Sequence, residues 1–390
     1  MLNSSNPVGP QPTPGALRAA FEPPSALTVG LEEELMLLDP ERLDLLPRAA
    51  DVLAAGAGPA ARAELPASQL ELVLEPAASV ADAASALLAA RQALAAAADG
   101  IGLLGGAGAH PFAAGVGELT AAPRYDGLVA EYGPAARRQL VCGLHVHVAV
   151  RGPDRALAVF NALRSHLPLI AALGANAPFY EGEDAGLASV RPKLSELLPR
   201  QGIPPAFASW QELSGALAWG RTSGRVPDPG HWWWEARLHP RMGTIEVRAP
   251  DAQATVGDTA AVAGVVHALV AHLAARWDAG EELPVDPTWR IAENRWSACR
   301  FGLEGALADL RTGELAPTRE RLEDLLDDLA DVARTLGCGR ELDAARALAR
   351  DGGGAAAQRR AGSARAAAAA LAQRFLEPWR AGAVPPVPTG

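Results

Sequence analysis

An α+β fold, with a largely antiparallel β-sheet carrying the chemically active residues and helices flanking it, is predicted by three features of the chain. Short apolar runs with the two-residue alternation of strands cluster early and again in the middle, whereas the part after about residue 255 has helical periodicity. Strand and helix signals do not alternate regularly, which separates the pattern from a doubly wound nucleotide fold. With 49% hydrophobic and 21% charged residues over 390 positions, the chain has the composition of a self-folding globular protein with room for a deep site.

Taken in order, residues 1–24 are rich in Pro, Ser, Asn and Gly without an apolar period and read as a disordered leader. Residues 25–378 read as a single domain with a helical C-terminal part, and 379–390 as a flexible tail. Strands are predicted over 28–38 and 69–74, followed by an Ala- and Leu-rich helix over 80–98 that Asp99-Gly100 ends. Apolar stretches at 101–108 and 139–150 predict two more strands, with a helical segment between them at 125–138. Asp154 is placed to cap a helix over 154–173, and a Pro- and Gly-bearing loop covers 176–205. Two strands, 232–238 and 244–248, flank a turn-like 239–243.

Composition narrows the partners. A formal net charge of -10 argues against a nucleic-acid partner, because affinity for phosphate backbones needs an excess of Lys and Arg. No run of about 18 apolar residues free of charge is present, and the first twenty residues lack a basic end followed by an apolar stretch, so no membrane partner and a cytoplasmic location are expected. The three cysteines, Cys142, Cys299 and Cys338, form no C-x-x-C pair and read as ordinary reduced thiols. The only lysine is Lys193. A Walker A loop requires a lysine after its glycines, so any nucleotide chemistry here must rely on metal ions and arginines.

Three short segments concentrate chemistry. In Gly30-Leu31-Glu32-Glu33-Glu34, Glu32 and Glu34 share a strand face, which suits an oxygen platform for Mg²⁺ or Mn²⁺ and equally suits a solvated acidic edge. In Gly143-Leu144-His145-Val146-His147, two imidazoles share a face while Leu144 and Val146 point the other way; a metal or polyphosphate site and a satisfied core pair are both open. In Thr244-Ile245-Glu246-Val247-Arg248, Glu246 and Arg248 share a face with Arg237 on the preceding strand, as a metal-and-phosphate pairing or a cross-strand salt bridge would require. Glu71 is a softer candidate in an apolar run, and Arg191 and Lys193 lie on the Pro-rich loop, suited to reaching over a substrate. Asn294, Arg295 and Arg300 read by default as one solvated helical face. The glycines of 105–108 lack the sixth-position glycine of a dinucleotide fingerprint, and Pro111 stands where its helix would begin. His267 and His272, five apart on a helix, read as structural.

These segments, together with 105–112, 234–237 and 294–305, resemble in order those of the type 2 glutamate–cysteine ligases and their carboxylate–amine ligase relatives, across residues 27–305. The G-x-E-x-E, G-x-H-x-H and E-x-R-x-P-D elements are also similar to those of glutamine synthetase, so the resemblance implies a glutamine-synthetase-like catalytic domain. It implies an enzyme in which ATP, with Mg²⁺ or Mn²⁺, phosphorylates the γ-carboxylate of glutamate or a similar carboxylate, and an amine such as cysteine displaces phosphate. Cysteine activity in this branch can be weak. Carried over by motif, Glu32, Glu34, Glu71, His145 and Glu246 are the expected metal ligands, His147, Arg248 and Arg237 the phosphate contacts, and Arg191 and Arg300 the contacts for the substrate carboxylate. Arg248, Arg237 and Glu246 form the catalytic set, and Glu246→Ala is expected to abolish turnover while leaving the fold. Ala149-Val150 departs from the family pattern, in which a glycine often follows the second histidine. A metal-dependent amide hydrolase is the alternative that the same His and carboxylate cluster allows. A homo-oligomer is left open.

Overall fold

The computed structural model describes residues 13–22, 27–226 and 228–378. Its strands are β1 (Val29–Leu38), β2 (Ala61–Ala63), β3 (Gln69–Val73), β4 (Leu103–Gly105), β5 (Leu144–Ala149), β6 (Phe179–Tyr180), β7 (Glu183–Asp184), β8 (Ala236–His239), β9 (Thr244–Val247), β10 (Ala306–Ala308) and β11 (Leu315–Pro317). Seven of them form one sheet in the order β2-β3-β1-β5-β9-β8, with β4 also pairing β1; β6–β7 and β10–β11 are separate two-stranded ribbons. Every pairing within the large sheet is antiparallel. The α+β architecture expected from the sequence is therefore the one observed.

Alternation along the strands divides the sheet into two faces. Leu31, Leu35, Leu70, Leu72, Leu144, Val146, Val148, Ile245 and Val247 are almost fully buried in the main core. Three helices pack many of their apolar side chains into the same core, Val80–Ala98, Pro153–Leu163 and Val256–Asp278. Two helical stretches, Pro153–Leu173 and Val256–Asp278, are long and apolar enough to cross a membrane, which the reading of uncharged runs overlooked. Most of each is buried inside the protein, where packing against the sheet and neighbouring helices accounts for its apolar character.

Glu33 belongs to this covered face and is fully buried. Arg91 of the helix Val80–Ala98 meets it with two hydrogen bonds, 2.8 and 2.7 Å, and donates further to the carbonyls of Gln253 and Phe375. Thr259 Oγ1 donates to the same carboxylate at 2.8 Å. The middle glutamate of the acidic triplet is thus an internal tie between sheet and helices, and it leaves Glu32 and Glu34 facing the other way.

Several expectations change. Residues 14–19 of the expected leader form a helix, Pro14–Ala19, capped by Thr13, and bury Leu17 and Phe21; the Phe21 ring lies 5.3 Å from that of Trp210. The rest of the leader, 1–12 and 23–24, and the whole tail, 379–390, lie outside the described residues. Asp154 is not a cap: the helix starts at Pro153 after Gly152, and the Asp154 carboxylate pairs with Arg18. The helix expected over 154–173 is broken by a tighter turn, Arg164–His166. The strand expected over 101–108 shrinks to β4. A Cβ on Gly106 would lie 2.2 Å from the Gln253 carbonyl oxygen, and one on Gly108 2.4 Å from the Asp251 carboxyl carbon, so these glycines serve backbone packing. The loop over 176–205 holds the β6–β7 ribbon and a short helix, Arg191–Ser195. His267 is structural as expected, its Nε2 lying 2.7 Å from the Leu27 carbonyl oxygen.

Candidate active site

Strand register assembles the site on the face turned away from the core helices. Glu32 stands opposite His145 and Glu34 opposite Glu71. His147 stands opposite Glu246, which in turn faces Arg237. Directly opposed residues in an antiparallel pair project to the same side, with Cβ atoms roughly 4.5–5.5 Å apart. Five strands thereby bring residues from positions 32 to 248 to one surface.

The donor atoms fall into two groups that share Glu32. Atoms of Glu32, His147 and Glu246 lie within 4.8 Å of one another, and so do atoms of Glu32, Glu71 and His145. One Glu32 oxygen is 2.9 Å from His145 Nδ1 and the other 3.4 Å from His147 Nε2. His147 Nδ1 is 3.0 Å from Thr244 Oγ1, which orients the ring, while its buried Nε2 has no hydrogen-bond partner. A carboxylate bridging two His-and-carboxylate groups, with an orphaned imidazole nitrogen aimed at it, fits a pair of divalent cations. His147, expected at phosphate, thus stands among the metal donors as well.

Electrostatics agree with that fit. Burial pushes the Glu71 carboxyl up, and the neighbouring Glu64, Glu34 and Glu32 push it further, to about 8. Burial and Glu64 raise Glu34 to about 7, against the pull of the Gly143 N–H that donates to it at 2.6 Å. Burial and Arg248 lower His145 to about 4, leaving it a neutral imidazole able to ligate at neutral pH. Burial alone would raise Glu32, but the hydrogen bond to His145 and the nearby His147 imidazole hold it well below the carboxylate range. Glu246 is likewise held low by Arg248 and Arg237 despite complete burial. Carboxylates crowded this closely repel one another, and divalent cations between them would relieve that repulsion.

Arg237 grips Glu246 with two hydrogen bonds, 2.8 and 2.9 Å, and Arg248 donates to the same carboxylate. This deep placement corrects one expectation: Glu246 is fully buried, and removing its carboxylate takes away a partner that two guanidinium groups share.

The remaining expected residues divide. Arg191 borders the cleft, but its Nε binds Asp251 at 2.7 Å and its Nη2 is shared among the carbonyls of Arg248, Ala249 and Pro250. It fixes the chain after β9 more than it reaches for substrate. Arg300 does not line the cleft; it lies 5.1 Å from the Phe301 ring centre and beside Gly186. Lys193 likewise pairs with Glu196 and sits 5.2 Å from the Trp296 ring, outside the cleft.

The cleft itself has a volume of about 370 Å³ and is also lined by Glu64, Tyr125, Trp233, Glu235 and Arg295, which the sequence reading did not place there. No local signal marked Glu64: it directly follows β2, and the pairing of β2 with the Glu71 strand brings it to the cleft. Arg295 was assigned to a solvated helix face, yet it is buried.

The model of glutamate–cysteine ligase family 2 matches residues 28–374. The chain belongs to that family. A Rubrobacter xylanophilus protein provisionally named glutamate–cysteine ligase 2-3 is 43% identical over 245 residues, covering 63% of this chain and 66% of that one. A Gloeobacter violaceus protein provisionally named glutamate–cysteine ligase 2 is 37% identical over 247 residues, with 63% and 66% covered. The matched stretch is just under two thirds of either relative. Among solved structures, a Francisella tularensis glutamate–cysteine ligase in complex with AMP aligns with a TM-score of 0.65 at 12% identity, covering 93% of this chain and 90% of that one. A bifunctional glutathione synthetase from Pasteurella multocida aligns at 0.67 and 15% identity, over 93% of this chain and 53% of its own. At such identities the likeness is one of fold.

Proposed function

We propose that this protein is an ATP-dependent carboxylate–amine ligase that activates the γ-carboxylate of glutamate as an acyl phosphate and passes it to an amine. The observation that carries this reading is the pair of donor groups joined by Glu32, with Arg237 and Arg248 beside them. Family membership supports it, and the AMP complex of the Francisella tularensis ligase supports a nucleotide as substrate.

Divalent cations held by Glu32, Glu71, His145, His147 and Glu246, with Glu34 and Glu64 beside them, would screen the polyphosphate and the phosphoryl group in transfer. The arginines supply charge that the single lysine does not. Arg248 reaches both Glu246 and, at 3.3 Å, the His145 ring, so its guanidinium stands between the two donor groups. From there it can donate to phosphoryl oxygens as their charge develops, and Arg237 holds Glu246 in place. Neutral His145 keeps a lone pair free for ligation, and Thr244 sets the tilt of His147. The buried back of the sheet keeps these groups rigid, which limits reorganisation during transfer.

The test is phosphate release from ATP with Mg²⁺ or Mn²⁺, glutamate and a panel of amines including cysteine, with an ATP-free control. Glutamate-dependent release that rises with one amine is the expected result. Amide cleavage without ATP would establish the hydrolase in its place.

A further inference from the structure

The helix Thr288–Phe301 reaches the cleft through one residue whose pairing is incomplete. Arg295 directs both Nε, at 2.8 Å, and Nη2 to a single oxygen, Oε1 of Glu235. A fork-to-fork pair would use both carboxylate oxygens. Here Arg295 Nη1 and Glu235 Oε2 are both buried without a hydrogen-bond partner. The two side chains are only 7% and 9% exposed, and both residues line the cleft. An unpaired buried donor or acceptor costs roughly 1–3 kcal/mol, more when charged. One such atom on each member of a pair that lines the cleft marks a place that a ligand completes.

Position ties this pair to the chemistry. Arg248 N donates to the Glu235 carbonyl at 2.7 Å, extending the β8–β9 ladder by one step, so Glu235 stands beside Arg248 on the same face. Arg237 is two residues further along, about 6.6 Å at strand spacing. That span is comparable to the reach of a five-carbon diacid.

The charges select the ligand. A free anion would suit Arg295 and be repelled by Glu235, and a metal ion would suit Glu235 and be repelled by Arg295. A zwitterion satisfies both. We infer that Glu235 and Arg295 hold the head group of an α-amino-acid substrate, Glu235 Oε2 accepting from its ammonium and Arg295 Nη1 donating to its carboxylate. Resting on the ligase reading, this directs the γ-carboxylate of a bound glutamate toward Arg248 and Arg237.

The test uses the full chain with Mg²⁺ and a non-hydrolysable ATP analogue. Calorimetry compares glutamate with glutarate, which lacks the ammonium, with 4-aminobutyrate, which lacks the α-carboxylate, and with a panel of other α-amino acids. The wild-type protein is expected to prefer its α-amino acid over the deaminated and decarboxylated analogues by about tenfold or more, the scale of one charge-assisted hydrogen bond. Glu235→Gln should erase the preference over the deaminated analogue and Arg295→Lys should shrink the preference over the decarboxylated one, with nucleotide affinity unchanged. Should either single variant fail to fold, Glu235→Gln/Arg295→Met removes both charges together and should bind glutamate and glutarate alike. Unaltered discrimination in the folded variants would overturn the inference, as would nucleotide binding by a wild-type protein that takes no α-amino acid in the panel. If the zwitterion preference holds while ATP releases no phosphate, the ligase reading falls and this site stands.

Discussion

Replacing Arg91 with Met tests the internal tie behind the active face. Glu33 and Arg91 are both fully buried and share two hydrogen bonds of 2.8 and 2.7 Å. Removal of the guanidinium leaves a buried carboxylate with Thr259 Oγ1 as its remaining side-chain donor, and takes hydrogen bonds from the carbonyls of Gln253 and Phe375. Breaking a buried pair from one side typically costs about 3–5 kcal/mol, a large share of the roughly 5–15 kcal/mol that holds a domain folded. Arg91→Met is therefore expected to cost about 4 kcal/mol, read from urea denaturation followed by circular dichroism. The double variant Glu33→Leu/Arg91→Met, which leaves no unpaired charge, should recover more than half of that loss. A cost below about 1 kcal/mol for the single variant, or a double variant less stable than the single, would refute the claim that Glu33 is anchored by this pair.

Other consequences can be measured directly. Glu246→Gln should cut the proposed ligase activity by about 100-fold or more with its fold kept, whereas Glu246→Ala should also lose about 3 kcal/mol, because Arg237 and Arg248 lose the buried carboxylate they share; paired kinetics and thermal melts separate the two. Glu71 at about 8 and Glu34 at about 7 lie above the ordinary glutamate value of 4.5, so above about pH 7, where histidines such as His145, His166 and His239, lowered from 6.5 to about 4, carry few protons in either state, the cation-free folded protein binds more protons than the unfolded chain. Its stability should accordingly fall as pH rises from about 7 to about 8.5, and Mg²⁺ or Mn²⁺ should raise the melting temperature more at about pH 8.5 than at about pH 6, as scanning calorimetry with and without chelator would report. Gly243→Ala should destabilise by roughly 1–3 kcal/mol in the same calorimetry, because φ is +64° and a Cβ would lie 2.1 Å from the Ala20 carbonyl oxygen.

Much of the site was legible because a strand carries information at a spacing of two. Glu32 and Glu34, His145 and His147, and Glu246 and Arg248 each declare a shared face by alternation alone, before any pairing is known. The turn at 239–243 likewise announces that Arg237 and Glu246 return to each other, and they do so in register. What misled the reading was local polarity. Arg300 and Arg295 stand on the same helix and look alike in sequence, yet Arg295 enters the cleft and Arg300 packs on Phe301. Arg191 looked free on a loop and is tied to Asp251 and three carbonyls.

The sequence by itself determined the α+β class, the faces of the strands and the residue types that a cation-and-phosphate site requires, since these follow from periodicity and side-chain chemistry within a few residues. Tertiary structure alone decided which partners meet: the order β2-β3-β1-β5-β9-β8, the sharing of Glu32 between two donor groups, and the meeting of Glu235 with Arg295 sixty positions away. The physical reason is that a local pattern fixes the direction a side chain takes from its own strand or helix. Its environment, and with it burial, charge balance and unmet hydrogen bonds, is set by packing between segments far apart in the chain.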